Sequence, residues 1–202
     1  MAGAGRSSGR RFDRVHGVAT QALVLLGQLE DTPGDAYAHA THYEPVPVEA
    51  FADLLGEVPE PLVRRASFVD VGCGMGRAVL LASEHPFKQV AGVEVSPALH
   101  AIACDNLASA RGLEMRCRDV RIRRGDARRF RFPRGDLVVF LFNPFDDEVL
   151  RTVLDRIVSS RRPGNRVVLL YHVAVHRDVV AEYAAEVLYD GPAGLAVTLR
   201  VA

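Results

Sequence analysis

The residues best suited to chemistry in this 202-residue chain lie in one stretch, Ser67-Phe68-Val69-Asp70-Val71-Gly72-Cys73-Gly74-Met75-Gly76-Arg77-Ala78-Val79-Leu80-Leu81-Ala82. A short β-rich run breaks on three alternating glycines and resumes with apolar residues at helical spacing, the pattern of strand, tight turn and helix. Such a unit seats a nucleotide, because glycine admits φ > 0 and close backbone approach while the free N–H groups of the helix start face the ligand. The dinucleotide fingerprint G-x-G-x-x-G/A is out of phase here, since Arg77 follows Gly76 directly. Asp70 stands two residues before the first glycine, and Glu94 closes the next predicted strand, Gln89-Val90-Ala91-Gly92-Val93-Glu94. A carboxylate at that second strand end accepts from two ribose hydroxyls at once, a role common to more than one nucleotide cofactor.

Three further positions bear chemistry. Asp136-Leu137-Val138-Val139-Phe140-Leu141-Phe142 is a continuous apolar run suited to a central parallel strand, and it ends in Asn143-Pro144-Phe145. Asn-Pro there is either a turn or part of a substrate site. The alternating run Val120-Arg121-Ile122-Arg123-Arg124 is closed by Gly125-Asp126-Ala127, and His172 follows the apolar strand at 166–171. A lone histidine at a strand end is either structural or a proton acceptor.

The elements that position these residues follow from composition and periodicity. A hydrophobic content of 49% in 202 residues allows one domain with a substantial core. Residues 1–11 are Gly, Ala, Ser and Arg after Met1, and are expected to be disordered. Over residues 12–29, Val15, Val18, Ala19, Ala22, Leu25, Leu26 and Leu29 fall at i, i+3, i+4 and i+7, which predicts a docking helix weakened by Gly17. Asp31-Thr32-Pro33-Gly34-Asp35 breaks it. Residues 36–47 lack periodicity but concentrate Tyr37, His39, His42 and Tyr43, and read as either a connection or a lid that brings Tyr43 and Glu44 to the site. His39 and His42 lack an evident third ligand, so no metal is expected. Further helices are predicted at 47–56, 77–84, 97–110, 146–160 and 177–185, and further strands at 186–189 and 195–201. The division is thus a disordered 1–11, a helical extension with a lid at 12–66, and a cofactor domain at 67–202.

Charge and cysteine usage narrow the surroundings. A net charge of zero exerts no global pull toward nucleic acid or membrane. Locally, residues 111–134 hold ten arginines against Glu114, Asp119 and Asp126. This is either an RNA-contacting surface or a charged edge strand that resists aggregation. Lys88 is the single lysine among 25 basic residues, which reads as coding bias. Cys73, Cys104 and Cys117 lack C-x-x-C spacing, so neither a disulfide framework nor a zinc site is expected and a reducing cytoplasm fits. Arg10-Arg11 is followed by too short an apolar run, at 22–26, for an export signal, and no stretch approaches a membrane span of ~20 apolar residues.

The D-x-G-x-G-x-G pattern of Asp70, Gly72, Gly74 and Gly76 at a strand end resembles the first motif of the class I S-adenosylmethionine (SAM)-dependent methyltransferases. The likeness extends from Phe68 onward. With Phe12-Asp13, Gly17-Val18-Ala19-Thr20, Tyr43-Glu44-Pro45, Gly92-Val93-Glu94 and Phe142-Asn143-Pro144-Phe145, the chain is similar to a bacterial group of that family. The resemblance implies a Rossmann-like α/β sandwich with a seven-stranded sheet in order 3-2-1-4-5-7-6, strand 7 antiparallel, and helices on both faces. It implies SAM held by Asp70, Gly72, Cys73, Gly74, Gly76, Glu94, Val95, Asp126, Ala127 and Asn143, with Asp70 beside the methionine moiety and Asp126 accepting from the adenine amine. Asn143-Pro144-Phe145 resembles the N-P-P-Y/F motif of amino-group methyltransferases, in which the Asn side chain and the adjacent carbonyl accept from the target amine, but the second proline is missing. The expected catalytic set is therefore Asn143, Pro144 and Phe145, with His172 as the possible proton acceptor. The implied activity is methyl transfer to an amine or hydroxyl of a small molecule or protein. RNA methylation through residues 111–134 comes second, and a SAM-binding module without turnover or a nicotinamide enzyme comes last.

Overall fold

The computed structural model describes residues 2–29 and 32–201. Met1 of the expected disordered segment and Asp31 of the expected helix break lie outside them. Seven strands form one sheet: β1 (Ser67–Val71), β2 (Gln89–Glu94), β3 (Val120–Arg124), β4 (Leu137–Phe142), β5 (Val167–His172), β6 (Ala184–Gly191) and β7 (Gly194–Leu199). Their order is β3-β2-β1-β4-β5-β7-β6, as the resemblance implied, with β1 to β5 parallel and β7 antiparallel to both β5 and β6.

The period of two along each strand sorts the side chains into two cores. Phe68, Val90, Val138, Phe140, Val168 and Leu170 face one layer, while Val69, Val71, Val93, Val139, Leu141 and Leu169 face the other. Helices α3 (Val48–Gly56), α4 (Glu60–Val63), α5 (Arg77–Ser83) and α6 (Pro97–Ser109) cover the first face, and α7 (Asp147–Ser159) and α8 (Arg177–Tyr183) the second. On α7 the buried residues Val149, Leu150, Val153, Leu154 and Ile157 form one stripe, each contributing about 1.5–3 kcal/mol by leaving water. Chain connections leave β1 and β4 toward opposite sides of the sheet, so a crevice opens outside their carboxyl ends.

The segment ahead of the sheet differs from the sequence expectation. Helix α1 runs over Ala2–His16, where disorder was expected through Arg11, and it stops where a helix was expected to continue to Leu29. Gly17, at φ +67°, terminates it in the left-handed conformation that glycine adopts freely. Beyond it the backbone N–H groups find partners outside a helix: Thr20 N and Gln21 N donate to the Asp13 carboxylate at 2.7 and 2.6 Å, and Ala19 N donates to Asn106 Oδ1 at 2.7 Å. Val15 and Leu25, two members of the supposed apolar stripe, are exposed. A 3-10 turn at Leu26–Gln28 and the short helix α2 (Ala36–His39) complete this region.

Arg77 organises it. The side chain is 2% exposed, yet it donates to Thr20 Oγ1 (2.7 Å), Gln21 Oε1 (3.1 Å), Val46 O (3.3 Å), Gly9 O (3.5 Å) and Asp13 Oδ1 (3.2 Å). Removing one partner of a buried ion pair leaves an uncompensated charge. Asp13→Ala is therefore expected to lower stability by about 3–5 kcal/mol in urea unfolding. A loss below about 1 kcal/mol, the level of an exposed pair, would show that Arg77 does not depend on Asp13.

Candidate active site

A cavity of about 330 Å³ opens at the crevice between the ends of β1, β2 and β4. It is lined by Asp70, Gly72, Cys73, Gly74, Glu94, Val95, Asp126, Ala127, Asn143, Pro144 and Phe145 from the sheet side, and by Tyr43 and Glu44 from the preceding segment. These include most of the residues singled out in the sequence. Two do not line it. Gly76, at φ +87°, caps α5 and packs on Ala103. His172 lies against Phe142, with ring centroids 4.5 Å apart, and its Nδ1 donates to Ala193 O at 2.6 Å. Burial holds the His172 imidazole below its usual range against the opposing Ala193 contact and Glu44 charge, so it sits in the structure as a packed, hydrogen-bonded histidine.

The two acids flanking the glycine loop, Asp70 in β1 and Glu94 at the end of β2, differ in environment. Glu94 is fixed by the loop itself: Oε2 accepts from Gly74 N at 2.8 Å and Oε1 from Ser96 N at 2.9 Å. Both contacts fix the carboxylate at the rim of the cavity. Asp70 is 3% exposed, and among the described residues no hydrogen bond reaches its side chain. Burial first, and the charge of Glu94 second, push its carboxyl well above the usual range. A buried acid without a partner suits a cationic ligand group. Its neighbours Gly72 and Gly74 meet protein at close quarters, for a Cβ at Gly72 would overlap Pro144 and one at Gly74 would overlap the Tyr43 ring. Tyr43 is oriented by its hydroxyl, which donates to Thr20 O at 2.8 Å, and by backbone pairing with Val24.

Asp126 is already engaged. It caps a 3-10 turn, Ala127–Arg129, by accepting from Arg128 N at 2.8 Å, and its carboxylate also takes the Arg128 guanidinium at 2.6 Å. Arg128 continues to Asp35 at 2.7 Å, so one cation bridges Asp126 and the start of α2. Burial works to raise Asp126, but the Arg128 hydrogen bonds outweigh it and hold the carboxyl below its usual range.

Across the cavity, Ala40 forms an antiparallel bridge with Phe145. Thr41 Oγ1 donates to Asn143 O at 2.6 Å, Thr41 N to Pro144 O at 3.3 Å, and Tyr171 Oη to Asn143 Oδ1 at 3.2 Å. Asn143 has φ +43° and the adjacent strand end Val173 φ +49°, both uncommon for side-chain-bearing residues and together at the cavity wall. Thr41, Arg128 and Tyr171 escaped the sequence reading, because their roles depend on contacts across 28 to 102 residues of chain or on a turn closed by a side chain. Among the described residues, no group of three His, Cys, Asp or Glu is arranged to hold a metal ion.

Residues 68–164 match the family described as "Methyltransferase domain". None of the curated proteins matches the sequence. Among solved structures, the mitomycin 7-O-methyltransferase MmcR is 19% identical with a TM-score of 0.54, over 77% of this chain and 54% of its own. The N-methyltransferase NodS from Bradyrhizobium japonicum WM9 is 18% identical with a TM-score of 0.51, over 76% of this chain and 94% of its own. A SAM-dependent methyltransferase from Clostridium acetobutylicum ATCC 824 is 17% identical with a TM-score of 0.45, over 60% of this chain and 49% of its own. The chain spans about half the length of MmcR and of the clostridial protein. The chain shares the fold of MmcR and NodS, and the segment that matches the methyltransferase-domain family, residues 68–164, is just under half of its length.

Two substitutions test the acids. Glu94→Gln keeps the shape but weakens acceptance from Gly74 N and Ser96 N, and is expected to cost about 1.5–3 kcal/mol of SAM binding by calorimetry with the domain still folded. Wild-type affinity would remove Glu94 from the site. For Asp70, the folded pKa lies above the unfolded one, so its burial costs nothing below the unfolded pKa and progressively more as pH rises through the folded value. Ligand-free Asp70→Asn should therefore match the wild type in acid and exceed it in stability at neutral pH, while SAM affinity falls about tenfold or more. Urea unfolding across pH together with calorimetry measures both, and a destabilised variant with intact affinity would reverse the assignment.

Proposed function

We propose that the cavity binds SAM and that the chain transfers its methyl group to an amine or hydroxyl of a small molecule or protein. The observation that carries this reading is the pair of acids flanking the glycine loop, Glu94 at the end of β2 pinned by Gly74 N and Ser96 N, and Asp70 near the end of β1, buried and without a hydrogen bond among the described residues, beside the switch point of the sheet. In it Glu94 accepts from the ribose hydroxyls, Asp70 faces the positive charge of the methionine portion, and Asp126 and Ala127 border the adenine. SAM supplies an electrophilic methyl on a sulfonium. The protein's share is positioning: an acceptor held in line with the methyl converts a bimolecular step into an effectively unimolecular one.

Residues 36–47 serve in this reading as the lid, with Tyr43 over the glycine loop and Arg128–Asp35 closing its near end. Exclusion of water strengthens the interaction between the sulfonium and its carboxylate. RNA methylation is the second reading, favoured by Arg121, Arg123 and Arg124 standing exposed on the edge strand β3. It requires RNA binding that weakens steeply with salt, whereas the first reading does not.

SAM and S-adenosylhomocysteine, but not NAD, are expected to raise the melting temperature, since a ligand of the folded state stabilises it by RT ln(1 + [L]/Kd). The same saturating S-adenosylhomocysteine should slow proteolysis within residues 36–47. Stabilisation by NAD alone would overturn the cofactor assignment, and cleavage at equal rates with and without ligand would reduce the segment to a linker.

A further inference from the structure

One side chain of the cavity wall, His39, is not used in the cofactor reading above, and it is paired with Asp146 behind it. His39, on α2, lines the cavity, and its Nδ1 donates to Asp146 Oδ2 at 2.6 Å. Asp146 is itself held in place, because its Oδ1 accepts from Val149 N at 3.1 Å as the cap of α7 and its backbone N–H donates to His39 O at 3.2 Å. With the proton on Nδ1, the Nε2 atom carries a free lone pair, and among the described residues no hydrogen bond reaches it. The imidazole is 22% exposed, open enough to exchange a proton with solvent.

The groups around it argue for one kind of acceptor. An amine substrate would use the Asn143 side chain and the neighbouring carbonyls, but each of these oxygens already accepts one hydrogen bond, from Tyr171, Thr41 Oγ1 and Thr41 N, and keeps a single lone pair. His39 is a base held by a carboxylate among the polar groups of the lining, which also include His42 and Glu44, and the apolar lining includes Phe142, Phe145, Val149 and Val173.

Building on the reading of the cavity as a SAM site, we propose that His39 is the catalytic base for methyl transfer to a hydroxyl carried on an apolar or aromatic acceptor, with Asp146 as its positioning residue. The acceptor oxygen attacks the methyl carbon, and a C–O bond forms as the S–C bond breaks. Sulfur keeps that electron pair and becomes a neutral thioether. The hydroxyl proton passes to His39 Nε2, Asp146 stabilises the resulting imidazolium, and the proton leaves to solvent with product release. The charged groups near His39 are Asp146 and Glu148 of α7, Arg128 of the 3-10 turn and Asp35 ahead of α2, with His176 acting on Asp146. The Asp146 hydrogen bond dominates and raises the imidazole above its ordinary 6.5, so activity should climb with pH along a limb lying above that value.

The full chain is incubated with labelled SAM and the small-molecule fraction of a cell extract, and the product is sorted by mass spectrometry as an O-methyl or an N-methyl compound. With that acceptor, pH profiles are recorded for wild type, His39→Gln, Asp146→Asn and Asp146→Glu, alongside S-adenosylhomocysteine calorimetry on each. The expected product is O-methyl. His39→Gln should lose about 10²–10⁴-fold in kcat and the pH limb, with S-adenosylhomocysteine affinity retained. Asp146→Asn preserves the helix cap and should move the limb to lower pH, while Asp146→Glu restores part of it. An N-methyl product, or wild-type kcat and pH profile in His39→Gln, overturns the proposal. Failure to label any small molecule likewise overturns the proposal, whereas failure of the wild type to bind S-adenosylhomocysteine overturns the underlying reading of the cavity.

Discussion

A guanidinium at 2% exposure is tolerable in a protein interior only if acceptors surround it, and Arg77 takes its acceptors from segments that all precede the sheet. Gly9, Asp13, Thr20, Gln21 and Val46 are drawn from α1, the extended stretch after it and the lead-in to α3. Phe12 adds its ring 5.8 Å from the guanidinium carbon. Arg77 is also the first residue of α5, directly after the glycine loop. The floor of the cavity and the segment that covers it therefore share one anchor, and Tyr43 reaches the loop because its hydroxyl binds Thr20, a residue Arg77 already holds.

The sheet was legible because its signals are local. Continuous apolar runs such as 137–142, glycine and proline punctuation, and the Ser96-Pro97 start of α6 depend on neighbours a few residues away, and each element fell within a few residues of its expected place. The N-terminal region misled for the converse reason. Its i, i+3, i+4 pattern satisfies a helix, but the backbone donors after Gly17 are claimed by Asp13 and by Asn106, the latter 87 residues away. Periodicity carries no information about such a competitor. Similarly, a Gly-, Ser- and Arg-rich start shows too little apolar content to pack, yet Gly9 is buried because Arg77 needs its carbonyl and leaves no room for a side chain there.

Within the cavity the same division holds. The positions of Asp70, Gly72, Gly74, Glu94 and Asp126 followed from motif and strand phase, and the cavity gathers them. The sequence alone treated Asp126 as a free acceptor, whereas Arg128 two residues on occupies it and extends to Asp35. His172 and His39 illustrate the limit most clearly. His172 stood alone in the sequence and His39 beside His42 in a run without periodicity, and only the surroundings separate one packed behind Phe142 from one that faces the cavity with a carboxylate at its back.

The segment that matches the methyltransferase-domain family ends at residue 164 and begins at 68, while His39, Thr41 and Tyr43 lie before it and Tyr171 and Val173 after it. The cavity is thus a composite: its floor and the wall from Phe142 to Val149 lie within the matched segment, and the wall that covers them from residues 39–44 lies outside it. Exchange of the covering wall leaves the glycine loop and its acids in place, so under the proposed function the acceptor could be changed by altering flanking sequence alone. Two such chains would then score as relatives over the middle of their length and still share no substrate.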